Sequence, residues 1–189
     1  MSKEKSGQNS DADLVWKSGN KERLLDTPVF TVNKSRNISP DGKAGDFITI
    51  DALDWAAVIP EVEGSFLMVK QWRHGSQSLS LEFPGGVIDA GESPEEGAAR
   101  ELLEETGCHA QTLVLLGSVS PNPALFTNQF HVFLARGLEA VGKQKLDDTE
   151  YLNCVRVPKE EVFAKMGGPE CPHALMAAAL ELYRQKAGE

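Results

Sequence analysis

Apolar and polar residues alternate with a period of two over several stretches of this chain, and each such stretch predicts a strand. Pro28-Val29-Phe30-Thr31-Val32 and Phe47-Ile48-Thr49-Ile50, with a turn at Ser39-Pro40-Asp41-Gly42 between them, predict a small antiparallel sheet. Trp55 to Ile59 and Ser65 to Gln71, joined by a turn at Glu63-Gly64, predict two further strands. Leu113 to Val119, Phe130 to Ala135 and Tyr151 to Val157 read the same way. Leu79-Ser80-Leu81-Glu82-Phe83 alternates as a strand and runs into Pro84-Gly85-Gly86. The period lengthens to that of a helix over Pro94 to Thr106, over Lys159 to Met166 before Gly167-Gly168, and from Pro172 to about Lys186. In the last of these, Leu175, Ala178, Ala179 and Leu182 form an apolar stripe that suits core packing. Strands and helices interleaved in this order place the chain in the α/β class.

The helix predicted from Pro94 carries the chemistry. Ser93-Pro94-Glu95-Glu96 is a capping box with Pro at the first helical position, and Gly107 supplies a left-handed stop after Thr106. Glu101, Glu104 and Glu105 stand at i, i+3 and i+4, so they share one helix face. Glu101 and Glu105 are like charges one turn apart, with no Lys or Arg at helical spacing to neutralise the pair. That costs a bare helix about 0.2–0.5 kcal/mol. A hard divalent cation reverses the sign, because it takes carboxylate oxygens as ligands. Arg100, four residues after Glu96 and four before Glu104, can hold carboxylates in place. The glycines just upstream let the backbone approach a ligand closely. A solvated acidic face is the plain alternative, but the glycine loop leading into the helix favours a site.

The motif spanning Gly86, Glu92, Arg100, Glu101, Leu102, Glu104, Glu105 and Gly107 resembles the signature of the Nudix hydrolases. It departs from that signature at Cys108, where an aliphatic residue is usual; Cys packs there as a small hydrophobe. The resemblance implies a Nudix-type α/β/α sandwich with a mixed sheet, here over residues 53–189. A small N-terminal antiparallel sheet is expected over 14–52 before it, and the polar residues 1–13 are expected to form a disordered tail. It implies Mg²⁺, or Mn²⁺ in its place, held by Glu101, Glu105, Glu104 and the carbonyl of Gly85. Glu104 is either a further ligand or the group that orients the nucleophilic water, and Arg100 fixes loop and helix within the catalytic set with Glu104 and Glu105. In family members acting on ADP-sugars the general base often comes from a later acidic loop. Asp147-Asp148-Thr149-Glu150 occupies that region, with Glu150 the best single choice and a solvated turn the alternative.

The substrate is read from other positions. Gln71-Trp72-Arg73-His74-Gly75 resembles a segment of ADP-ribose pyrophosphatases, where Arg73 would bind phosphate or else form a surface ion pair. Glu82 matches an acid near the metal site of those enzymes, and Pro123 stands where ADP-sugar members carry Pro. The expected reaction is hydrolysis of a nucleoside diphosphate sugar, ADP-ribose to AMP and ribose 5-phosphate. The alternatives are GDP-mannose or another nucleoside diphosphate derivative, an oxidised nucleoside triphosphate, or a Nudix module that binds ADP-ribose without cleaving it. In family members acting on ADP-ribose a small N-terminal sheet of this kind helps to build a homodimer, so the resemblance implies a homodimer here. His131 reads as structural, and Trp16, Trp55 and Trp72 as core residues.

Composition narrows the setting. A formal net charge of −9 over 189 residues argues against a surface that coats nucleic acid. It does not exclude a phosphate-bearing substrate, since a bound cation supplies local positive charge. Three cysteines, Cys108, Cys154 and Cys171, lack metal-type spacing and suggest reduced thiols in the cytoplasm. No apolar run is long enough to span a membrane, and residues 1–13 do not read as a signal peptide.

Overall fold

The structure, a computed structural model, describes residues 11–187. Most of the tail expected over residues 1–13 lies outside the described residues, and Asp11–Leu14 form a turn of 3₁₀ helix. The chain separates into two compact units. One comprises the residues up to Ala52 with Asn122–Thr127, the other Leu53–Pro121 with Asn128 onward.

The smaller unit holds an antiparallel sheet in the order β1 (Lys21–Asp26), β2 (Thr31–Ile38), β3 (Ala44–Asp51). Its strands begin in a different place from the expected ones. Pro28 and Val29 sit in the turn rather than in a strand, because Pro has no N–H to give to a ladder. Thr27 Oγ1 closes that turn by accepting the N–H groups of Val29 (3.3 Å) and Phe30 (3.0 Å). β1 is exposed along its whole length, so no apolar alternation announces it. The distant segment Asn122–Thr127 joins the unit through backbone bonds from Ile50 N–H to Leu125 O (2.7 Å) and from Thr127 N–H to Ile50 O (3.1 Å). Trp16 meets Phe47 edge-on at 5.1 Å but stays 43% exposed, which corrects its assignment to a core.

In the larger unit the elements run β4 (Trp55–Val62), β5 (Ser65–Arg73), β6 (Ser78–Glu82), β7 (Gly85–Val87), α1 (Pro94–Thr106), β8 (Cys108–Val119), β9 (Phe130–Ala140), β10 (Leu152–Pro158), α2 (Lys159–Lys165) and α3 (Ala174–Ala187). The seven-stranded sheet has the order β10-β5-β4-β9-β8, with β6 beside β5 and β7 beside β4. It is mixed: β4 and β9 run parallel, the other neighbours antiparallel. β4 is buried on both faces, which explains its unbroken apolar run. Ala56 and Val58 pack on one side with Ala98 and Leu102 of α1, while Ala57 and Ile59 face the side of α2 and α3. The result is the expected α/β/α sandwich.

α3 buries Met176, Ala179, Leu180 and Tyr183, so of the expected stripe only Ala179 is fully buried. Leu175 and Leu182 only flank that core. Tyr183 turns the helix: its ring is fully buried against Phe66 at 5.1 Å, and its hydroxyl donates to Glu61 (2.7 Å), so the polar tip is satisfied inside. Trp72 is 48% exposed, so it too is no core residue, whereas Trp55 packs against the core as expected.

Candidate active site

Local signals fix the acidic helix. Ser93 caps α1, with its Oγ accepting from Glu96 N–H (3.2 Å) and Glu96 Oε2 accepting from Ser93 N–H (2.8 Å). Gly107, at φ 70°, ends the helix by donating to Leu103 O at 2.8 Å. Before the helix, Gly85 and Gly86 run along β4 as β7. Gly85 has φ 152°, and a side chain there would strike the carbonyl of Ala56. At Gly86 an added Cβ would lie 2.5 Å from Glu101 Oε1. The glycines are what let this loop and the acidic face of α1 lie against each other.

The carboxylates sit in unequal surroundings. Glu105 is 3% exposed and accepts a hydrogen bond from Gly85 N–H at 2.8 Å. Burial pushes its carboxyl up to about 8, against that bond and with the charges of Glu101 and Glu150 adding to the push. Glu101 is raised as well, chiefly by burial. Glu104 is more open. Arg100 does more than its position suggested: it reaches Glu92 (Nε–Oε1 2.9 Å), Glu101 (Nη1–Oε1 2.9 Å), Glu104 (Nη1–Oε2 3.1 Å) and the carbonyl of Val87 (2.9 Å). The expectation that no cation neutralises the Glu101–Glu105 pair is therefore corrected on the Glu101 side. With Glu101 and Glu104 turned to Arg100 and Glu105 turned to Gly85, no group of three or more acidic, His or Cys side chains is arranged to hold a metal ion among the described residues. Glu105 keeps a buried carboxylate without a cationic hydrogen-bond partner, and that donor chemistry suits a hard cation.

Beside the glycine loop lies a cavity of about 260 Å³, lined among others by Trp55, Arg73, Glu82, Gly85, Gly86 and His173. Arg73 and Glu82 form a bidentate pair, Nε–Oε1 2.8 Å and Nη2–Oε2 2.5 Å. This is no surface ion pair, because Glu82 is 1% exposed. Burial opposes ionisation of Glu82, but the bonds and charge of Arg73 together hold its carboxyl below the usual range. Glu150 is exposed, and its carboxylate accepts the N–H of Asp147 at 3.2 Å. Its charge nonetheless acts on Glu101, Glu105 and Arg73. Pro123 belongs to the smaller unit, in a turn where Asn122 O accepts from Leu125 (3.0 Å) and Phe126 (2.8 Å). His131 is bonded to Ser118 (2.7 Å) and Asp54 (3.2 Å), in keeping with a structural role.

A family model described as the NUDIX domain matches residues 52–176. The chain belongs to the Nudix family. The acidic Nudix helix is thus α1, with the glycine loop at its start. The chain is 32% identical over 168 residues to the ADP-ribose pyrophosphatase of Bacillus subtilis (strain 168), covering 88% of this chain and 91% of that one. It is 31% identical over 128 residues to the ADP compounds hydrolase NudE of Escherichia coli (strain K12), 68% of each chain. Over 131 residues it is 38% identical to the ADP-ribose pyrophosphatase of Mycobacterium tuberculosis (strain ATCC 25618 / H37Rv), covering 68% and 63%. A crystal structure of ADP compounds hydrolase superposes with TM-score 0.80 at 26% identity, covering 90% of this chain and 92% of that one. With its acidic set complete, the chain is a Nudix pyrophosphatase. No helix among the described residues is long and apolar enough to cross a membrane.

One cavity-lining residue escaped the sequence reading. His173 lines the cavity, and no motif or spacing singles it out, because it arrives from the turn before α3. The only local signal is its place directly after Pro172 at a helix start.

Proposed function

We propose that this enzyme hydrolyses the pyrophosphate bond of a nucleoside diphosphate sugar, with ADP-ribose the preferred substrate and AMP and ribose 5-phosphate the products. The observation that carries the reading is the buried Glu105 carboxylate against the Gly85-Gly86 loop, at the edge of a cavity that also holds Arg73. The relatives named for ADP-ribose and ADP compounds support the choice of sugar.

Glu101, Glu105, Glu104 and the Gly85 carbonyl are the groups that would hold Mg²⁺, with Mn²⁺ a substitute of similar oxygen preference. When bound, such an ion offsets the charge that develops on phosphate oxygens and favours an attacking hydroxide. The chain's own residues do the rest. Arg100 keeps Glu92, Glu101, Glu104 and the Val87 carbonyl in fixed relation, so loop and helix present one surface. Arg73, braced by Glu82, offers its remaining N–H groups to phosphate. Glu150 takes the proton from the attacking water, leaving its loop bond to Asp147 to do so. Pro123, at the position where ADP-sugar members carry Pro, is the remaining substrate-binding candidate. A homodimer formed through the N-terminal sheet suits the exposed Leu24, Leu25, Phe47 and Ile48.

The test is to incubate the purified protein with Mg²⁺ and ADP-ribose, GDP-mannose, other nucleotide sugars and nucleoside triphosphates, and to identify products. Release of AMP and ribose 5-phosphate from ADP-ribose is the expected result. Turnover confined to triphosphates would defeat the substrate assignment.

A further inference from the structure

His173 occupies an unusual position for a helix cap. Its carbonyl accepts the N–H of Met176 (3.1 Å) and of Ala177 (3.4 Å), and its Nδ1 accepts the N–H of Leu175 at 3.1 Å. The nitrogen that accepts carries no proton, so the neutral ring carries its proton on Nε2, at the edge away from the helix backbone. Burial lowers the proton affinity of this ring, which keeps it neutral as a donor.

The ring lies where two spaces meet. His173 and Arg73 both line the cavity beside Gly85 and Gly86, and both also line a neighbouring groove of about 530 Å³ with Trp72, His74 and Ser80. Ser80 is 1% exposed; its hydroxyl makes no well-formed hydrogen bond among the described residues, though it lies near enough to Glu82 to favour that carboxylate, so the groove wall retains some polar capacity. Arg73 gives Nε and one Nη2 hydrogen to Glu82, leaving Nη1 without a hydrogen bond among the described residues. A substrate with two bulky halves joined by a diphosphate, laid across both spaces, brings its phosphates to this pair of donors.

We propose that His173 is a substrate-positioning residue whose Nε2–H donates to a phosphate oxygen of the bound substrate, beside the Nη1 edge of Arg73. This rests on the pyrophosphatase reading above. It gives one residue two functions, capping α3 and holding the diphosphate, and the two can be separated by substitution. In His173→Asn the amide oxygen stands near the place of Nδ1 and can still cap α3, but the Nε2–H is lost. In His173→Gln the amide nitrogen stands near the place of Nε2 and can still donate, but the cap is lost.

The experiment measures thermal unfolding, kcat and KM for both variants with the diphosphate substrate that the wild-type enzyme turns over best. His173→Asn is expected to melt near the wild type, with KM raised roughly tenfold, the size of one hydrogen bond to a charged oxygen, and kcat little changed. His173→Gln is expected to melt lower and to keep the nearer-normal KM. A His173→Asn enzyme with wild-type KM overturns the proposal, and so does a KM that follows melting temperature across the two variants. Failure of the ADP-ribose assignment shows instead in the wild type, through its choice of substrate. If no compound is turned over, calorimetric affinity for ADP decides: about tenfold weaker binding by His173→Asn supports the proposal, and equal binding ends it.

Discussion

Gly85 and Gly86 are neighbours, yet a methyl group added to each meets a different obstacle. At Gly85 it meets backbone, the Ala56 carbonyl of β4, in a conformation that side chains rarely adopt. Gly85→Ala should therefore lower stability by about 1–3 kcal/mol, seen as an earlier midpoint in denaturant unfolding. At Gly86 the methyl meets the end of the Glu101 side chain at 2.5 Å, which can rotate away. Gly86→Ala should leave the unfolding midpoint close to wild type while cutting kcat/KM at least about tenfold, since Glu101 is displaced. Equal damage to stability and activity at both positions would contradict this account. Glu105→Gln separates charge from shape in the same way. The amide oxygen can still accept from Gly85 N–H, and a carboxyl pushed up to about 8 is already largely neutral at pH 7, so stability there should hold. Turnover should fall by about a hundredfold or more, and near-normal activity would remove Glu105 from the proposed ligand set. The shared face of Glu101, Glu104 and Glu105 was legible from spacing alone, because helical geometry needs no tertiary information. The reach of Arg100 to Glu101 and the pairing of Arg73 with the buried Glu82 were not, since each depends on where a side chain turns after packing.

Elements were legible in proportion to how local their signals are. α1 begins at Pro94 and ends at Thr106 as the capping box and Gly107 indicate, because every bond that sets those ends lies within a few residues. α3 behaves otherwise. Its buried stripe, Met176, Ala179, Leu180 and Tyr183, shares only Ala179 with the one that the apolar spacing suggests, because Tyr183 is drawn inward by partners on other elements. β8 starts at Cys108, immediately after the helix stop and before its apolar stretch, since its ladder with β9 begins at Cys108–Ala140. The locality of α1 makes its cap easy to test. Ser93→Ala removes the acceptor for Glu96 N–H at an exposed site, so it should cost about 1 kcal/mol without altering KM. A Ser93→Ala enzyme as stable as the wild type would show that packing, not the cap, fixes the start of this helix.

At the scale of the whole molecule, the two units answer differently to the sequence. The N-terminal sheet could be anticipated, but the recruitment of Asn122–Thr127 to it could not, because those bonds join segments remote in the chain. In the larger unit one partly buried carboxylate, that of Glu61, ties four elements together. Glu61 on β4 accepts from Tyr183 on α3 (2.7 Å), from Arg136 on β9 (2.6 Å) and from Lys159 on α2, which also donates to Tyr183 at 2.6 Å. Burial opposes the charge on Glu61, yet Lys159, Arg136 and Tyr183 together hold its carboxyl down to about 2, from an ordinary value of 4.5. A carboxyl depressed in the folded state stabilises the fold above its unfolded value, and that stabilisation is lost as pH falls through the folded value. The window here is therefore about 4.5 down to 2. The full shift corresponds to an upper bound of about 3 kcal/mol, and solvent access to the network reduces this to about 1–2 kcal/mol. Other carboxylates titrate in the same range, so the contribution of Glu61 has to be isolated by comparison. Wild type and Glu61→Gln should differ most in unfolding free energy near neutral pH and converge as pH drops from about 5 towards 2. A gap that stays constant across that interval would mean that Glu61 acts through shape and neutral hydrogen bonds, and that the charge at the junction of these four elements does not stabilise the fold.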